Sequence, residues 1–136
     1  MADNIFVLDS NVWISFIIGK KLNILADIII DHDLVVLNCH ELEKEISTVL
    51  KRTKFKKYIA AKDIEEALIL FSKLTNFVVL GNIKKLNRDK NDDFLFTLCK
   101  VGKAGYFVSG DKDILECGIN PPPLVIAVNA FIKMFK

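Results

Sequence analysis

The chain is poor in the residues that staple a fold or ligate soft metals. Its 136 residues include three cysteines and two histidines. Cys39, Cys99 and Cys117 are widely spaced and odd in number, no two of them at zinc-ligand spacing, and His32 and His40 do not complete a site. Small buried thiols in a reducing compartment are the expectation. Long hydrophobic runs are also missing. The longest apolar tracts, Val12 to Ile18 and Ile24 to Ile30, are separated by Gly19-Lys20-Lys21, and Asp27 interrupts the second. A membrane span needs about 20 mostly apolar residues, so both tracts read as core elements and no membrane partner is expected. Met1-Ala2-Asp3-Asn4 puts no basic segment ahead of the first apolar run, so the expected location is cytoplasmic rather than secreted. Charge of one sign is scarce as well: 19 basic residues against 17 acidic leave a net +2, too little to identify a nucleic-acid partner by itself. What is present is an ordinary globular balance, 51% hydrophobic and 26% charged, in a length that fits a single domain over 1–136 with a real core.

Ile5-Phe6-Val7-Leu8 is a continuous apolar run without alternation, as for a central parallel strand covered on both faces. It ends at Asp9-Ser10-Asn11, which has helix-capping chemistry, and helix is expected from about Val12. Leu22 to Ile30 reads as a further helix and Leu34 to Leu37 as a second strand. From His40 to Arg52 the pattern is helical, with Leu42, Ile46, Val49 and Leu50 on one stripe. A basic segment, Lys51 to Tyr58, precedes an amphipathic helix over Asp63 to Leu74 carrying Ile64, Ala67, Leu68 and Phe71. Phe77 to Leu80 is a third strand, closed by Gly81. A polar loop, Asn87 to Asn91, leads into a helix from about Asp92 to Val101. Tyr106-Phe107-Val108 is a fourth strand ending at Ser109-Gly110-Asp111, and Pro121-Pro122-Pro123 introduces a final strand and a short helix. Alternating strands and helices, without repeats or low-complexity stretches, predict an α/β fold: a three-layer α/β/α sandwich with a central, mostly parallel sheet.

In such a sheet ligands sit at the carboxyl ends of the strands. Two expected strands end near an aspartate there, Asp9 and Asp111. A helix returning the chain to a parallel strand also starts at that edge, which brings Asp92 to the rim. The helix after the second strand brings Glu41, Glu43 and Glu45, and spacing alone does not choose among them. Each acid has an ordinary reading: strand-end aspartates are often turn formers or caps, and Asp111 or Asp113 alone would pass for loop surface. Their joint placement is what points to a site. Two unit charges about 4 Å apart cost on the order of 4 kcal/mol at an effective dielectric near 20, so gathered carboxylates call for raised pKa values or a cation. An all-oxygen ligand set suits Mg²⁺ or Mn²⁺, and either ion suits in-line displacement at a phosphodiester.

Four stretches carry a family resemblance. Val7-Leu8-Asp9-Ser10-Asn11-Val12-Trp13-Ile14-Ser15 resembles the first motif of PIN domains. Glu45-Ile46-Ser47-Thr48-Val49-Leu50-Lys51-Arg52, followed by Lys54-Phe55, is similar to the second. Arg88-Asp89-Lys90-Asn91-Asp92-Asp93-Phe94-Leu95 is similar to the third, and Tyr106 to Leu115 to the fourth. The four stand in order along nearly the whole chain. The resemblance implies a Mg²⁺- or Mn²⁺-dependent endoribonuclease whose acidic site is Asp9, Glu45, Asp92 and Asp111. Asn11 and Ser109 match supporting polar positions. Asp93 neighbours the third acid and Asp113 shares the fourth stretch. The resemblance further implies, as in many small stand-alone members, the toxin of a toxin–antitoxin pair: a homodimer held inactive by a cognate antitoxin, with RNA as substrate.

Lys51, Arg52, Lys54, Lys56 and Lys57, with Phe55 and Tyr58 interleaved, are candidates to hold an RNA backbone, and Lys84, Lys85, Arg88 and Lys90 form a second basic cluster. The alternative for the first is a solvated helix end with its aromatics turned into the core. Two other functions compete. A haloacid-dehalogenase-like phosphatase would use Asp9 as nucleophile but wants an acid two residues on, where this chain has Asn11. A non-catalytic binding module, either a degenerate PIN domain or a receiver-like switch, would lack acids that are present here or need a phosphorylatable Asp after the third strand, which ends Val79-Leu80-Gly81.

Overall fold

The computed structural model describes residues 4–52, 57–81, 93–110 and 124–135, with only the backbone of 93 and 124. The first apolar run forms β1 (Ile5–Leu8), followed by α1 (Ser10–Ile18), α2 (Leu22–Asp31), β2 (Val35–Asn38), α3 (His40–Leu50) and α4 (Ala61–Leu74). Then come β3 (Asn76–Phe77), α5 (Asp93–Val101), β4 (Tyr106–Val108), β5 (Leu124–Ile126) and α6 (Val128–Met134). All paired strands are parallel, in the order β3-β2-β1-β4-β5. The α/β architecture expected from the alternation is the one found.

Burial explains the unbroken apolar strands. Phe6, Val7 and Leu8 are all fully buried, which requires cover on both faces because successive side chains point opposite ways. The rings identify the two covers. Phe6 stacks on Tyr106, its register partner, and meets Phe131 of α6 edge-on. Phe107, one residue along and therefore on the other face, meets Phe96 of α5 edge-on at 5.2 Å. So α6 and α5 lie on opposite sides of the sheet. Right-handed crossovers put α1 to α4 on the α6 side, and the contact of His32, at the end of α2, with Phe135 agrees.

The helices bury the stripes read from the sequence. In α3, Leu42, Ile46 and Leu50 are fully buried and Val49 partly; in α4, Ile64 and Phe71 are buried and Ala67 and Leu68 partly. Phe71 meets Trp13 of α1 at right angles, with ring centroids 4.6 Å apart. Gly102, just past α5, is a close approach: a Cβ there would overlap Leu37 Cδ1 and lie 3.2 Å from the Leu98 carbonyl.

Boundaries differ most at the third strand. The expectation was Phe77 to Leu80, but only Asn76–Phe77 pairs with β2, extended by one bond from the Val78 N–H to the Asn38 carbonyl at 2.7 Å. β3 lies at the end of the strand order, with Phe77 55% and Val79 80% exposed. An apolar run does not say whether a strand is central or at an edge. Helix α1 starts at Ser10 rather than Val12, because Asp9 itself is the cap.

Candidate active site

The site grows from the central position of β1. The chain steps from β1 outward to β2 and β3, then crosses back to β4 on the other side of β1 and on to β5, so the β1–β4 junction is the topological switch point, the place where sheets of this kind hold ligands at the carboxyl edge. Register brings Leu8 beside Val108, and the next residues, Asp9 and Ser109, emerge together. The Asp9 N–H donates to the Val108 carbonyl at 2.9 Å and the Ser109 N–H to the Ile126 carbonyl at 3.0 Å, tying β1, β4 and β5 at this edge.

Asp9 is only 2% exposed. Its Oδ1 accepts from the Asn11 N–H at 3.3 Å and the Ser10 hydroxyl at 3.2 Å, and its Oδ2 from the Ser109 hydroxyl at 2.9 Å. The carboxylate therefore caps α1 and is held in one orientation by groups 100 residues apart. Those donors satisfy carboxylate oxygens that burial has taken away from water. Ser109, fully buried, supports Asp9 through its hydroxyl, whereas Asn11 does so through its backbone, its side chain being exposed. Ser10 was not among the expected residues. The signal for it was present as a hydroxyl directly after a strand-end aspartate.

The three glutamates of α3 part company. Glu41 and Glu45 line one depression of about 370 Å³ together with Phe94 of α5. Glu43 faces α4, lining a different depression with Leu68, Ile69 and Phe71, and accepts from Asn38 Nδ2 at 2.7 Å. Glu45 is thus on the side of its helix that meets α5. The backbone of Asp93 opens α5, whose Leu95 and Leu98 are fully buried and whose Phe94 and Thr97 are nearly so. Asp92, Asp111 and Asp113 lie outside the described residues, as do Lys54, Lys56, Lys84, Lys85, Arg88 and Lys90. Of the basic segment, Lys51, Arg52 and Lys57 are exposed, and Tyr58 is 64% exposed rather than turned into the core.

Among the described residues no group of three or more His, Cys, Asp or Glu could hold a metal ion. Asp9 and the hydroxyls of Ser10 and Ser109 put oxygens at the carboxyl edge. Cys39 follows β2 as Asp9 follows β1, but it is fully buried, and burial before all else pushes its thiol up to about 12. Near neutral pH it therefore holds its proton. Burial pushes the Cys99 thiol up as well. The oxygens gathered at Asp9 are of the kind that suits a hard divalent cation. No helix among the described residues is long and apolar enough to cross a membrane.

Comparison with known proteins agrees with this geometry. No curated protein matches the chain. Among solved structures, a chain from the crystal structure of VapBC2 from Rickettsia felis bound to a DNA fragment from their promoter is similar, with a TM-score of 0.59 at 13% identity. The match covers 90% of this chain and 98% of that one, and at such identity it is a likeness of fold. The family model of the PIN domain matches residues 6–113, a span that runs from β1 past the end of β4. The chain therefore belongs to the PIN-domain family, a family of nucleases.

Proposed function

We propose that the protein is a Mg²⁺- or Mn²⁺-dependent endoribonuclease and the toxin of a toxin–antitoxin pair. The observation that carries this reading is Asp9: a carboxylate 2% exposed, fixed by hydroxyls from two strand ends at the switch point of a PIN-domain sheet. Asp9 and Asp92 would be the principal ligands of the divalent ion. Glu45 would bind it or position the water, and Asp111 would act directly or through a water. Ser109 and the Asn11 backbone keep Asp9 aimed, and Asp93 and Asp113 are supporting acids. When bound, the ion would neutralise the gathered carboxylates and the phosphodiester and favour deprotonation of a water. The VapBC2 neighbour supports a cognate protein partner for this chain, an antitoxin, and the chain itself would act as a cytoplasmic homodimer.

The test is cleavage of total RNA by the purified protein with Mn²⁺, with EDTA and Asp9→Asn as controls. Internal cuts leaving 5′-phosphate and 3′-hydroxyl ends, lost in both controls, are expected. Ends bearing a 2′,3′-cyclic phosphate would mean that the RNA's own 2′-hydroxyl attacks and would overturn the scheme.

A further inference from the structure

A nuclease must hold the strand on either side of the bond it cuts, and the depression beside Glu45 has the chemistry to do so. Its walls on α3 are two adjacent rows of side chains. One row is Glu41, Glu45 and Val49; the other is Lys44, Thr48 and Arg52. Residues four apart share a helix face and stand about 6 Å apart along the axis. That step is close to the one between successive phosphates of an extended single strand. The second row is exposed throughout. Arg52 lies beyond the last residue of α3, but Lys51 keeps helical angles and the Arg52 N–H still donates to the Val49 carbonyl at 3.1 Å, so the row runs on to it. The apolar part of the lining is Val49 and Phe94, the latter 8% exposed.

Charge separates this depression from two others among the described residues. The one of about 420 Å³ between α1, α2 and α4 offers Lys20 against Asp63 and Glu66. The one of about 320 Å³ between α3 and α4 offers Glu43 and no cation. Both would repel a polyanion. Beside Glu45 two cations balance two acids, and they are sorted by row, cations outward and acids toward α5. The volume, about 370 Å³, falls within the roughly 300–1,000 Å³ of small-ligand clefts.

We infer that this depression is the subsite for the nucleotide next to the scissile bond of a single-stranded RNA, with Lys44, Thr48 and Arg52 along its phosphates and its base against Val49 and Phe94. The inference rests on the ribonuclease reading for the words "scissile bond", but the binding it describes is measurable without turnover. Lys44 and Thr48 lie outside the basic segment read from the sequence. They belong to the site through the helix face they share with Arg52.

The experiment uses the full chain and a short fluorescein-labelled single-stranded oligoribonucleotide. Binding is read by anisotropy in EDTA, and cleavage is read in Mn²⁺. Lys44→Gln with Arg52→Gln should weaken binding roughly tenfold and lower the slope of log K against log salt by about 1.4, at about 0.7 per lost contact. Thr48→Glu, at an exposed helix position, should weaken binding to a similar degree. In cleavage KM should rise while single-turnover rates at saturation change less than about twofold, as for lost uniform binding. Lys62→Gln with Lys73→Gln on α4, which removes the same charge elsewhere, should leave both readings near wild type. Affinity and slope in the Lys44/Arg52 variant equal to those of the α4 control would overturn the subsite, whether or not RNA is cut. Binding that depends on Lys44 and Arg52 in a protein that leaves the RNA intact would uphold the subsite and overturn the ribonuclease reading.

Discussion

Replacing Asp9 with Ala and with Asn separates what its carboxylate does for the fold from what it does as a charge. Alanine removes the cap of α1, worth about 1 kcal/mol. It also takes away the acceptor of the Ser109 hydroxyl, which is fully buried, at about 1–3 kcal/mol. The expected loss is therefore on the order of 2–4 kcal/mol, or about 1–2 M in urea midpoint at ordinary slopes. Asparagine keeps an oxygen for the Asn11 N–H and is as good a cap, and the Ser109 hydroxyl can turn to accept from its amide. Both variants remove the same charge, so the difference between them reports the hydrogen bonds. In EDTA the Asn variant should therefore unfold near the wild-type midpoint and the Ala variant well below it. Manganese should separate wild type from the Asn variant. Wild type should gain about 2.7 kcal/mol at a hundredfold excess over Kd, and neither variant should gain. An Ala variant as stable as wild type in EDTA would refute the supporting role of the Asp9 bonds. An Asn variant that gains as much from Mn²⁺ as wild type would refute Asp9 as a ligand.

Three further outcomes follow from the core. Gly102→Ala should cost about 1–3 kcal/mol in urea unfolding, because its new methyl must displace the buried Leu37 side chain or the Leu98 carbonyl. Trp13 is fully buried and its indole N–H meets no acceptor among the described residues. Trp13→Phe should thus cost about 1 kcal/mol, well under the roughly 3–5 kcal/mol of Trp13→Ala. Cys39 should resist alkylation in the folded protein near neutral pH and react at once in denaturant. Its thiol is raised from 9.0 to about 12, so the unfolded chain loses its proton first as pH rises. Stability is therefore undiminished below about pH 9 and falls through about pH 12, and the margin of wild type over Cys39→Ala should narrow across that window in urea melts.

The sequence was most legible where local chemistry and burial agree. Ile5 to Leu8 reads as a central strand because both of its faces are covered, and Asp9 reads as a cap because its side chain reaches the Asn11 N–H. The third strand was less legible, since Phe77 and Val79 have the composition of a core but stand at an edge. Glu41, Glu43 and Glu45 could not be told apart by spacing, because only the position of α5 and α4 around α3 gives each face of that helix a different neighbour. Lys44 was invisible for a similar reason: a lysine acquires meaning from what stands beside it in space.

The bond from Ser109 to Asp9 spans 100 residues. A chain emerging from a ribosome would carry Asp9 from the outset, yet it would lack the strand that aims this acid until β4 had followed. Long-range pairing of this kind is slow to form and cannot begin early. On the proposed ribonuclease reading, the order of synthesis itself would act as a safety catch, keeping the half-made chain harmless to the machine producing it.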